Sequence, residues 1–289
     1  RKREKTSGMP HAILIADSLN RVCFHETVNC RLRIREVVMK TILQAKDLCK
    51  TFSNGSVQQH VLRNLNLEIR EGDFAVIMGS SGSGKSTMLY SLSGIDRPTL
   101  GQVMYEGEDI SGYSNDRLAV FRRKHCGFVF QQNYLNDTMD VLDNIMVSGL
   151  LVSRDRKKIA KRAMELLLAV GLTEEVFHKF PAQLSGGEAQ RAAIVRGLIN
   201  EPEILFADEP TGALNSGNTE HVLDVLTRFH ESGQTIVMVT HDIRSARRGN
   251  RILYLKDGII TGELELGTYE SGDRKRHDML RGFLQEMGW

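Results

Sequence analysis

Residues Gly79–Thr87, GSSGSGKST, form the stretch of this sequence best suited to binding an anion. Glycines, hydroxyl groups and one lysine suit neither a hydrophobic core nor an amphipathic surface helix. The stretch follows the apolar run Phe74–Met78, typical of a buried parallel strand, and precedes residues 87–92, which have the pattern of a helix. Backbone N–H groups and the positive end of a helix dipole converge in such a turn, which therefore favours phosphate.

The spacing of this loop fits the pattern G-x-x-x-x-G-K-[ST], which predicts a nucleoside triphosphate site. Side chains at Gly82 and Gly84 would block the approach of the backbone to phosphate. Lys85 would place a positive charge at the β- and γ-phosphates, and the Ser86 hydroxyl would be a ligand of Mg²⁺. The alternative is a merely flexible Gly/Ser loop, which the flanking strand and helix make the weaker interpretation. The residues predicted to bind the nucleotide here are Gly79, Ser80, Ser81, Gly82, Ser83, Gly84, Lys85, Ser86 and Thr87.

A second part of the site is expected at the end of another buried strand, in the segment EILFADEP. Its apolar residues precede Asp208 and Glu209. We expect Asp208 to hold Mg²⁺, and Glu209 to act as the general base that polarises an attacking water. Taken alone, two acids could simply favour a helix N-terminus through the helix dipole. Together with the phosphate loop, they predict a metal-assisted phosphate site.

A third motif is LSGGEAQR, residues 184–191, a Ser-Gly-Gly turn that opens a helix predicted over Ala189–Leu198. It is a second helix terminus suited to an anion. A single nucleotide does not obviously need two such termini from one domain. With this motif, residues 39–260 closely resemble the ATP-binding cassette (ABC) family.

The resemblance implies an α/β fold: a P-loop NTPase (RecA-like) core with an antiparallel β subdomain and an α-helical insertion. It implies ATP and Mg²⁺ as cofactors. It also implies that Ser185, Gly186 and Gly187 bind the γ-phosphate of ATP held by the opposite protomer. Two copies of the chain would then form a head-to-tail homodimer around two ATP molecules.

Three further positions match the family's motifs in order. Gln131, after CGFVF, matches the glutamine that contacts Mg²⁺ and the attacking water and links the site to the helical insertion. His241, after TIVMVT, matches the switch histidine at the γ-phosphate, although a histidine at a strand end is usually an ordinary capping residue. Phe52, in KTFSNG, matches the aromatic ring that stacks on adenine, although it could be a plain core residue. The resemblance thus implies Glu209, His241 and Gln131 as catalytic residues and Ser86, Gln131 and Asp208 as metal ligands.

One position departs from the family's pattern. PTGALN ends in Asn215, where most members have Asp at the dimer seam. Asn keeps hydrogen-bonding capacity and loses the charge. We therefore expect ATPase activity to survive, with altered coupling between the two sites.

These motifs must be positioned by the elements around them. The pattern predicts alternating strands over 39–69, strand-like pieces over 101–130, and a helical insertion at about 133–190. The later elements are predicted as a strand at 203–207, a helix at 220–230, a strand at 235–239 and a hairpin around residues 257 and 258.

The predicted organisation is an N-terminal extension at 1–38, an ABC ATPase domain at 39–265, and a helical tail at 266–289. Residues 1–38 lack the cleavage site of a secretory signal, and we expect an upstream extension or a partly disordered arm before a domain that begins near Met39. In the tail, the residues predicted to share one packing face are Met279, Leu280, Phe283, Leu284 and Met287.

Composition bounds the function classes. The 289 residues are 41% hydrophobic and 26% charged, as in ordinary globular proteins, and no apolar run reaches the roughly 20 residues of a membrane helix. The net charge of +2 arises in residues 1–38, which carry eight Lys/Arg and four Asp/Glu. The rest is slightly acidic, so no nucleic-acid partner is expected. Four cysteines without a CxxC pair predict reduced thiols.

The segment ADEPTGAL resembles the ABC ATPases of macrolide export, lipoprotein release and antimicrobial-peptide resistance. This resemblance implies a separate integral-membrane permease whose cytoplasmic helices dock at about 131–150, and a cytoplasmic location on the inner face of the membrane. A cell-division-type ABC ATPase, which transmits force to a membrane regulator without transport, stays open as an alternative.

Three other classes fit the sequence less well. A chromosome-organising or DNA-repair ATPase needs a long coiled coil where only 53 residues separate Gln131 from Ser185. A translation-factor cassette protein needs two cassettes in one chain. A small-molecule P-loop kinase would lack LSGGEAQR.

Overall fold

The computed structural model describes residues 40–55 and 57–289, which belong to one structural unit. The predictions made for residues 1–38 and for a start near Met39 lie outside the described residues. The strands are β1 (Thr41–Asn54), β2 (Val57–Arg70), β3 (Phe74–Met78), β4 (Leu100–Tyr105), β5 (Glu108–Asp109), β6 (Cys126–Phe130), β7 (Ile204–Asp208), β8 (Thr235–Val239), β9 (Arg251–Lys256) and β10 (Ile259–Glu265). The helices are α1 (Lys85–Leu92), α2 (Asn115–His125), α3 (Val141–Leu150), α4 (Arg156–Ala169), α5 (Glu174–Phe177), α6 (Gly186–Leu198), α7 (Ser216–Glu231), α8 (Ile243–Ala246) and α9 (Arg274–Glu286).

The larger sheet has the strand order β10-β9-β3-β8-β7-β6. Its strands pair in parallel from β9 to β6, and β10 is antiparallel to β9. Strands β3, β7 and β8 are buried at every position, which explains why their sequences are continuous apolar runs and do not alternate. The three buried strands predicted at 74–78, 203–207 and 235–239 are confirmed to within one residue.

The carboxyl ends of four of these strands meet at one edge of the sheet. Ile77 near the end of β3 and Asp208 at the end of β7 both lie opposite Val239 of β8. Phe130 at the end of β6 lies opposite Asp208. Parallel strands therefore deliver the phosphate loop, Asp208 and the residues after β6 and β8 to the same edge, where ligands bind in open α/β sheets.

The smaller sheet is antiparallel with the order β2-β1-β4-β5. Strands β1 and β2 form a long hairpin in which Phe52 lies opposite Gln59. Buried side chains of this sheet pack together with Met88 and Leu89 of α1 in a second core. The predicted antiparallel β subdomain is thus confirmed, and it packs on the helix that follows the phosphate loop.

The predicted helical insertion contains α3, α4 and α5 and leads into α6. The side chains of Asp140 and Asp155 cap α3 and α4 by accepting hydrogen bonds from backbone N–H groups of the first turn. Ile159, Ala163 and Leu167, at helical spacing on α4, are buried in the main core.

Strands β4, β5 and β6 correspond to the strand-like pieces predicted within 101–130, whereas helix α2 between β5 and β6 was not predicted. Ser114 caps it, with its hydroxyl accepting from the backbone N–H of Arg117 at 3.2 Å. Its sequence NDRLAVFRRKH is mostly polar, and only Leu118 and Phe121 are buried. Two buried positions are too few to define a hydrophobic period, so the pattern alone does not distinguish a helix from a strand here.

Helix α9 packs on the larger sheet through Leu280 and Leu284, both buried, with Phe283 and Met287 beside them. The prediction was wrong for Met279, which is 51% exposed. It lies next to Leu280 in sequence, about 100° away around a helix, so it cannot share the face centred on Leu280 and Leu284. None of the described helices has the length and apolar character needed to cross a membrane.

Candidate active site

A cavity of about 810 Å³ opens at the carboxyl edge of the larger sheet. It is large enough for a nucleotide-sized ligand. The residues that line it are Phe52, Gln59, Val61, Gly79, Ser80, Ser81, Gly82, Gly84, Lys85, Ser86, Thr87, Glu209, His241 and Trp289. The structure therefore brings most of the predicted loop together with Glu209, His241 and Phe52.

Gly84 sits at the N-cap of α1 and shapes the loop. Its φ is 100°, in the left-handed region that favours glycine, and an added Cβ would lie 3.0 Å from Cγ1 of Val61. No side chain in the described part of the chain caps α1, so the N–H groups of its first turn are available to a ligand. The hydroxyl of Ser83 is also buried without a hydrogen-bond partner. A free helix N-terminus and an orphaned hydroxyl beside a cavity fit the binding of phosphate.

Lys85 folds back over the loop that precedes it. Its ammonium donates hydrogen bonds to the carbonyl oxygens of Gly79 at 2.9 Å and Ser80 at 2.8 Å. Burial lowers the pKa of Lys85, and the carboxylates of Glu209 and Asp208 partly oppose that shift. The positive charge is thus held at the mouth of the loop, where the terminal phosphates are predicted.

Ser86 and Asp208 form a pair suited to Mg²⁺. The Ser86 hydroxyl donates to Oδ1 of Asp208 at 2.9 Å, and the Tyr90 hydroxyl donates to Oδ2 at 2.7 Å. One hydroxyl and one carboxylate are hard oxygen ligands, and Mg²⁺ commonly completes its shell with phosphate oxygens and water. The donor set fits the predicted ion, which would neutralise charge on the phosphate groups when bound.

Glu209 has an unusual backbone for a residue with a side chain. Its φ is 46°, in the left-handed region, and its N–H donates to the carbonyl of Val239 at 2.9 Å. Oε1 of Glu209 lies 3.0 Å from Nδ1 of His241. Strained backbone is often concentrated at active sites, and here it aims the carboxylate toward the cavity and its histidine partner.

Gln131 lies beside the site without lining the cavity. A Cβ at Gly212 would meet its side-chain nitrogen at 2.9 Å, so Gln131 packs against the turn that follows Glu209. The preceding carbonyl, of Phe130, accepts a hydrogen bond from Gln190 of α6 at 2.8 Å. Arg196 of α6 also donates to the carbonyl of Tyr134 at 2.5 Å. The segment after β6 is therefore tied to α6, which begins at the Ser-Gly-Gly turn.

The Ser185 turn is built differently from the phosphate loop. Ser185 caps α6, its hydroxyl accepting from the N–H of Glu188, while the Glu188 carboxylate accepts from the N–H and hydroxyl of Ser185, each at 2.8 Å. The hydrogen bond from the Ser185 backbone lowers the pKa of Glu188. Gly187 packs against Asn218 at the start of α7. Among the described residues that line the nucleotide-sized cavity, none comes from 185–187.

Phe52 is 45% exposed and lines the cavity, which excludes the alternative of a plain core residue. The Lys50 ammonium lies 4.9 Å from the centre of its ring. The ring is placed where it can stack on a nucleotide base.

A family model described as ABC transporter matches residues 62–212, more than half of the chain. The chain belongs to the ABC transporter family. Within that family it is an ATPase domain, with the P-loop NTPase fold and the mixed parallel and antiparallel sheets that the motifs implied.

Curated relatives support the same assignment. An uncharacterized ABC transporter ATP-binding protein of Methanocaldococcus jannaschii, MJ1508, is 44% identical over 219 residues, which are 76% of this chain and 97% of that protein. The macrolide export ATP-binding/permease protein MacB of Brucella melitensis is 41% identical over 222 residues, 77% of this chain and 34% of MacB. This ABC ATPase therefore spans about a third of the length of that larger relative.

Solved structures match the fold. A dimeric post-hydrolysis state of the ATP-binding cassette MJ0796 bound to ADP and Pi has a TM-score of 0.72 and 40% identity, covering 79% of this chain and 100% of that one. The structure of cbiO1 from Clostridium perfringens, described as part of the ABC transporter complex cbiONQ, has a TM-score of 0.70 and 27% identity, with 78% and 89% coverage. The predicted ATP-hydrolysing activity of this ABC ATPase is thereby supported.

Two features of the site were missed from the sequence. Tyr90 was predicted only as part of a helix, yet it lies one turn after Ser86 and therefore reaches the same carboxylate. Trp289 was placed only in a packing tail, and no local pattern relates residue 289 to a loop two hundred residues earlier. The four-residue spacing from Ser86 to Tyr90 could have predicted that both reach Asp208. The position of Trp289 in the sequence could not have predicted its place at the cavity.

Proposed function

We propose that this ABC ATPase works as a homodimer in which two ATP molecules are enclosed between the phosphate loop of one protomer and the Ser185 turn of the other. The observation that carries the proposal is the separation of the two helix N-termini. The terminus of α1 opens into the nucleotide cavity, whereas the terminus of α6 packs at α7 and lies outside that cavity. A second copy of the chain can supply the missing turn.

In this proposal the chain's own residues position the reaction and stabilise its charge. Glu209 accepts a proton from the water whose oxygen attacks the γ-phosphorus of ATP, and the bond between that phosphorus and the ADP oxygen breaks. His241, within hydrogen-bond distance of Glu209, holds the carboxylate toward the water. Lys85 stabilises charge on the phosphates, while Ser86, Asp208 and Gln131 would hold Mg²⁺.

We further propose that a separate membrane permease docks on the helical insertion at about residues 131–150. Large apolar side chains are exposed in and just after this stretch: Tyr134, Val147, Leu151 and Val152. Gln190 and Arg196 of α6 bond the carbonyls of Phe130 and Tyr134, respectively. These contacts join the proposed docking surface to the Ser185 helix and support a coupled movement of the two.

We propose that the transporter driven by this ATPase exports, or confers resistance to, peptides, macrolides or lipid-linked compounds. The similarity to MacB, a macrolide export ATP-binding/permease protein, supports this direction. The ATPase would act from the inner face of the cell membrane through its permease. The cell-division-type ATPase stays an alternative, because both proposals use the same nucleotide chemistry.

The docking proposal can be tested by site-specific photo-crosslinking in native membranes. A photo-reactive amino acid replacing Val147 should cross-link a membrane protein, whereas one replacing Met279, similarly exposed on α9, should not. A cross-linked permease supports transport, and a cross-linked division regulator supports the alternative. Equal or absent cross-linking at both positions contradicts docking at 131–150.

A further inference from the structure

The nucleotide cavity has a second aromatic wall beside Phe52. Trp289 lines the same cavity with Gln59, Val61 and the phosphate loop, and its side chain is 46% exposed. Phe52 of β1 and Gln59 and Val61 of β2 line the same cavity as the indole. Large aromatic rings that stay half exposed beside a cavity are suited to contact with a flat ligand.

The backbone of Trp289 is held by the C-terminal cap of α9. The Gly288 N–H donates to the carbonyl of Gln285 at 3.0 Å, and the Trp289 N–H donates to that of Leu284 at 2.9 Å. Gly288 has a φ of 83°, and this pair of bonds with a left-handed glycine is a Schellman motif. Leu284 is 2% exposed in the main core. The ring is therefore presented by an ordered helix end.

The helix that carries Trp289 packs on the β9–β10 hairpin, which is hydrogen-bonded to β2, a strand of the cavity wall. A Cβ at Gly262 of β10 would meet Met287 at 2.6 Å and Phe283 at 3.0 Å, so α9 packs closely on β10. At the turn between β9 and β10, the carbonyl of Gly258 accepts from the N–H of Arg63 on β2 at 3.0 Å. Strand β2 also supplies Gln59 and Val61 to the cavity. These contacts give a continuous packed path from α9 to the cavity wall.

We propose that Trp289 contacts the base of the bound nucleotide, so that the end of α9 forms the second wall of a base-binding site whose first wall is Phe52. The ligand class is a nucleotide with an aromatic base, and the contact is made by the indole face. The proposal deepens, and rests on, the proposed nucleotide site.

Binding measurements on the whole chain can separate a base contact from a phosphate contact. Calorimetric titration with ATP should show affinity about tenfold weaker for Trp289→Ala, and close to wild type for Trp289→Phe, because a benzene ring can still stack. Inorganic tripolyphosphate, which has no base, should bind both variants as it binds the wild-type chain. Equal ATP affinity in wild type and Trp289→Ala, or an equal loss for tripolyphosphate, would overturn the proposal.

A backbone variant tests the placement of the ring without removing it. Gly288→Ala puts a side chain on a residue with left-handed φ, so it should displace the indole and weaken ATP binding about as much as Trp289→Ala. Gly282→Ala is the matched control, because an added methyl group there meets nothing within 4 Å and φ is not positive. Weakening by both glycine variants, or by neither, would contradict a role for the cap.

Trp289 is the one tryptophan of the chain, so its fluorescence reports this site alone. ATP should change the emission, and tripolyphosphate should leave it nearly unchanged. Lys85→Ala should lose affinity for both ligands. If Lys85→Ala binds both normally, the proposed nucleotide site fails and this inference fails with it. If Lys85→Ala behaves as expected but ATP leaves Trp289 emission unchanged, the base contact alone is wrong.

Discussion

The N-termini of α1 and α6 are both suited to an anion, yet they are prepared in opposite ways. The start of α1 has a glycine N-cap with no side-chain cap among the described residues, and it opens into the nucleotide cavity beside Lys85. The start of α6 is capped by Ser185, whose hydroxyl is bonded to Glu188 on the exposed surface. Within residues 40–55 and 57–289, no side chain caps the α1 terminus, whereas the α6 terminus already has a capping partner.

This difference indicates which half of the site binds ATP first. The α1 terminus can take phosphate groups directly, because its N–H groups and Lys85 are arranged around an existing cavity. At α6 an incoming phosphate must replace the Glu188 carboxylate as the acceptor of the Ser185 hydroxyl. The negative charge of the Glu188 carboxylate also repels phosphate. We therefore expect ATP to bind tightly to the loop first and only then to recruit the Ser185 turn.

Of the variants that test this comparison, Glu209→Gln should have the largest effect on ATP hydrolysis. Gln cannot accept a proton, so we expect hydrolysis to fall by roughly 10²- to 10⁴-fold while ATP binding at the loop is kept. Light scattering with ATP and Mg²⁺ should find a trapped dimer. Glu165→Gln, the same change at an exposed site on α4, is the control. A monomer under these conditions would count against the shared site.

Gly187→Ala should damage the α6 half alone. An added Cβ would lie 2.4 Å from Oδ1 of Asn218, so the turn must shift, and we expect ATPase activity to fall by about tenfold. ATP binding to the monomer should be unchanged. Gly112→Ala, where an added Cβ meets nothing within 4 Å, controls for the methyl group. Weaker ATP binding by the Gly187→Ala monomer would indicate that both halves belong to one chain's site.

Tyr90→Phe tests how the α1 half of the site holds Mg²⁺. It removes the hydrogen bond to Asp208, and we expect the Mg²⁺ concentration for half-maximal activity to rise roughly threefold. Binding of ATP without metal should not change, because Tyr90 does not line the cavity. An unchanged Mg²⁺ requirement would show that Ser86 alone suffices to orient the carboxylate.

Asn215→Asp should have the smallest effect. Oδ1 of Asn215 accepts from the N–H of Asn218 at 3.0 Å and caps α7, and Asp caps a helix equally well. The melting temperature should stay nearly constant. The measurement of interest is the cooperativity of hydrolysis in ATP, and an unchanged rate and cooperativity would refute a special role for the missing charge.

The sequence predicted most of the site elements that are defined by a short local motif. The loop Gly79–Thr87, the strand ending at Asp208 and the helix after Ser185 each combine a motif with a flanking element, so pattern and spacing were sufficient. The meeting of the loop and Asp208 at one sheet edge follows from the parallel pairing of β3, β8 and β7.

The features that were missed depend on burial or long-range packing. Helix α2 has only two buried residues, so its period was too weak to detect. Met279 fits the hydrophobic pattern of the helix, but only Leu280 and Leu284 are buried in the core, and Met279 stays exposed. Trp289 reaches the cavity through the packing of α9 on β10, which no local pattern contains.

The most direct test of the two-protomer site is to mix two inactive variants. Lys85→Ala breaks only the loop half and Ser185→Arg only the turn half, so each alone should hydrolyse ATP at a small fraction of the wild-type rate. In the mixed dimer one composite site contains both intact halves, and random pairing should restore up to about a quarter of wild-type activity. Recovery on mixing is the predicted result. Failure of the mixture to exceed its components, or full activity of Ser185→Arg alone, would contradict completion of the site by a second chain.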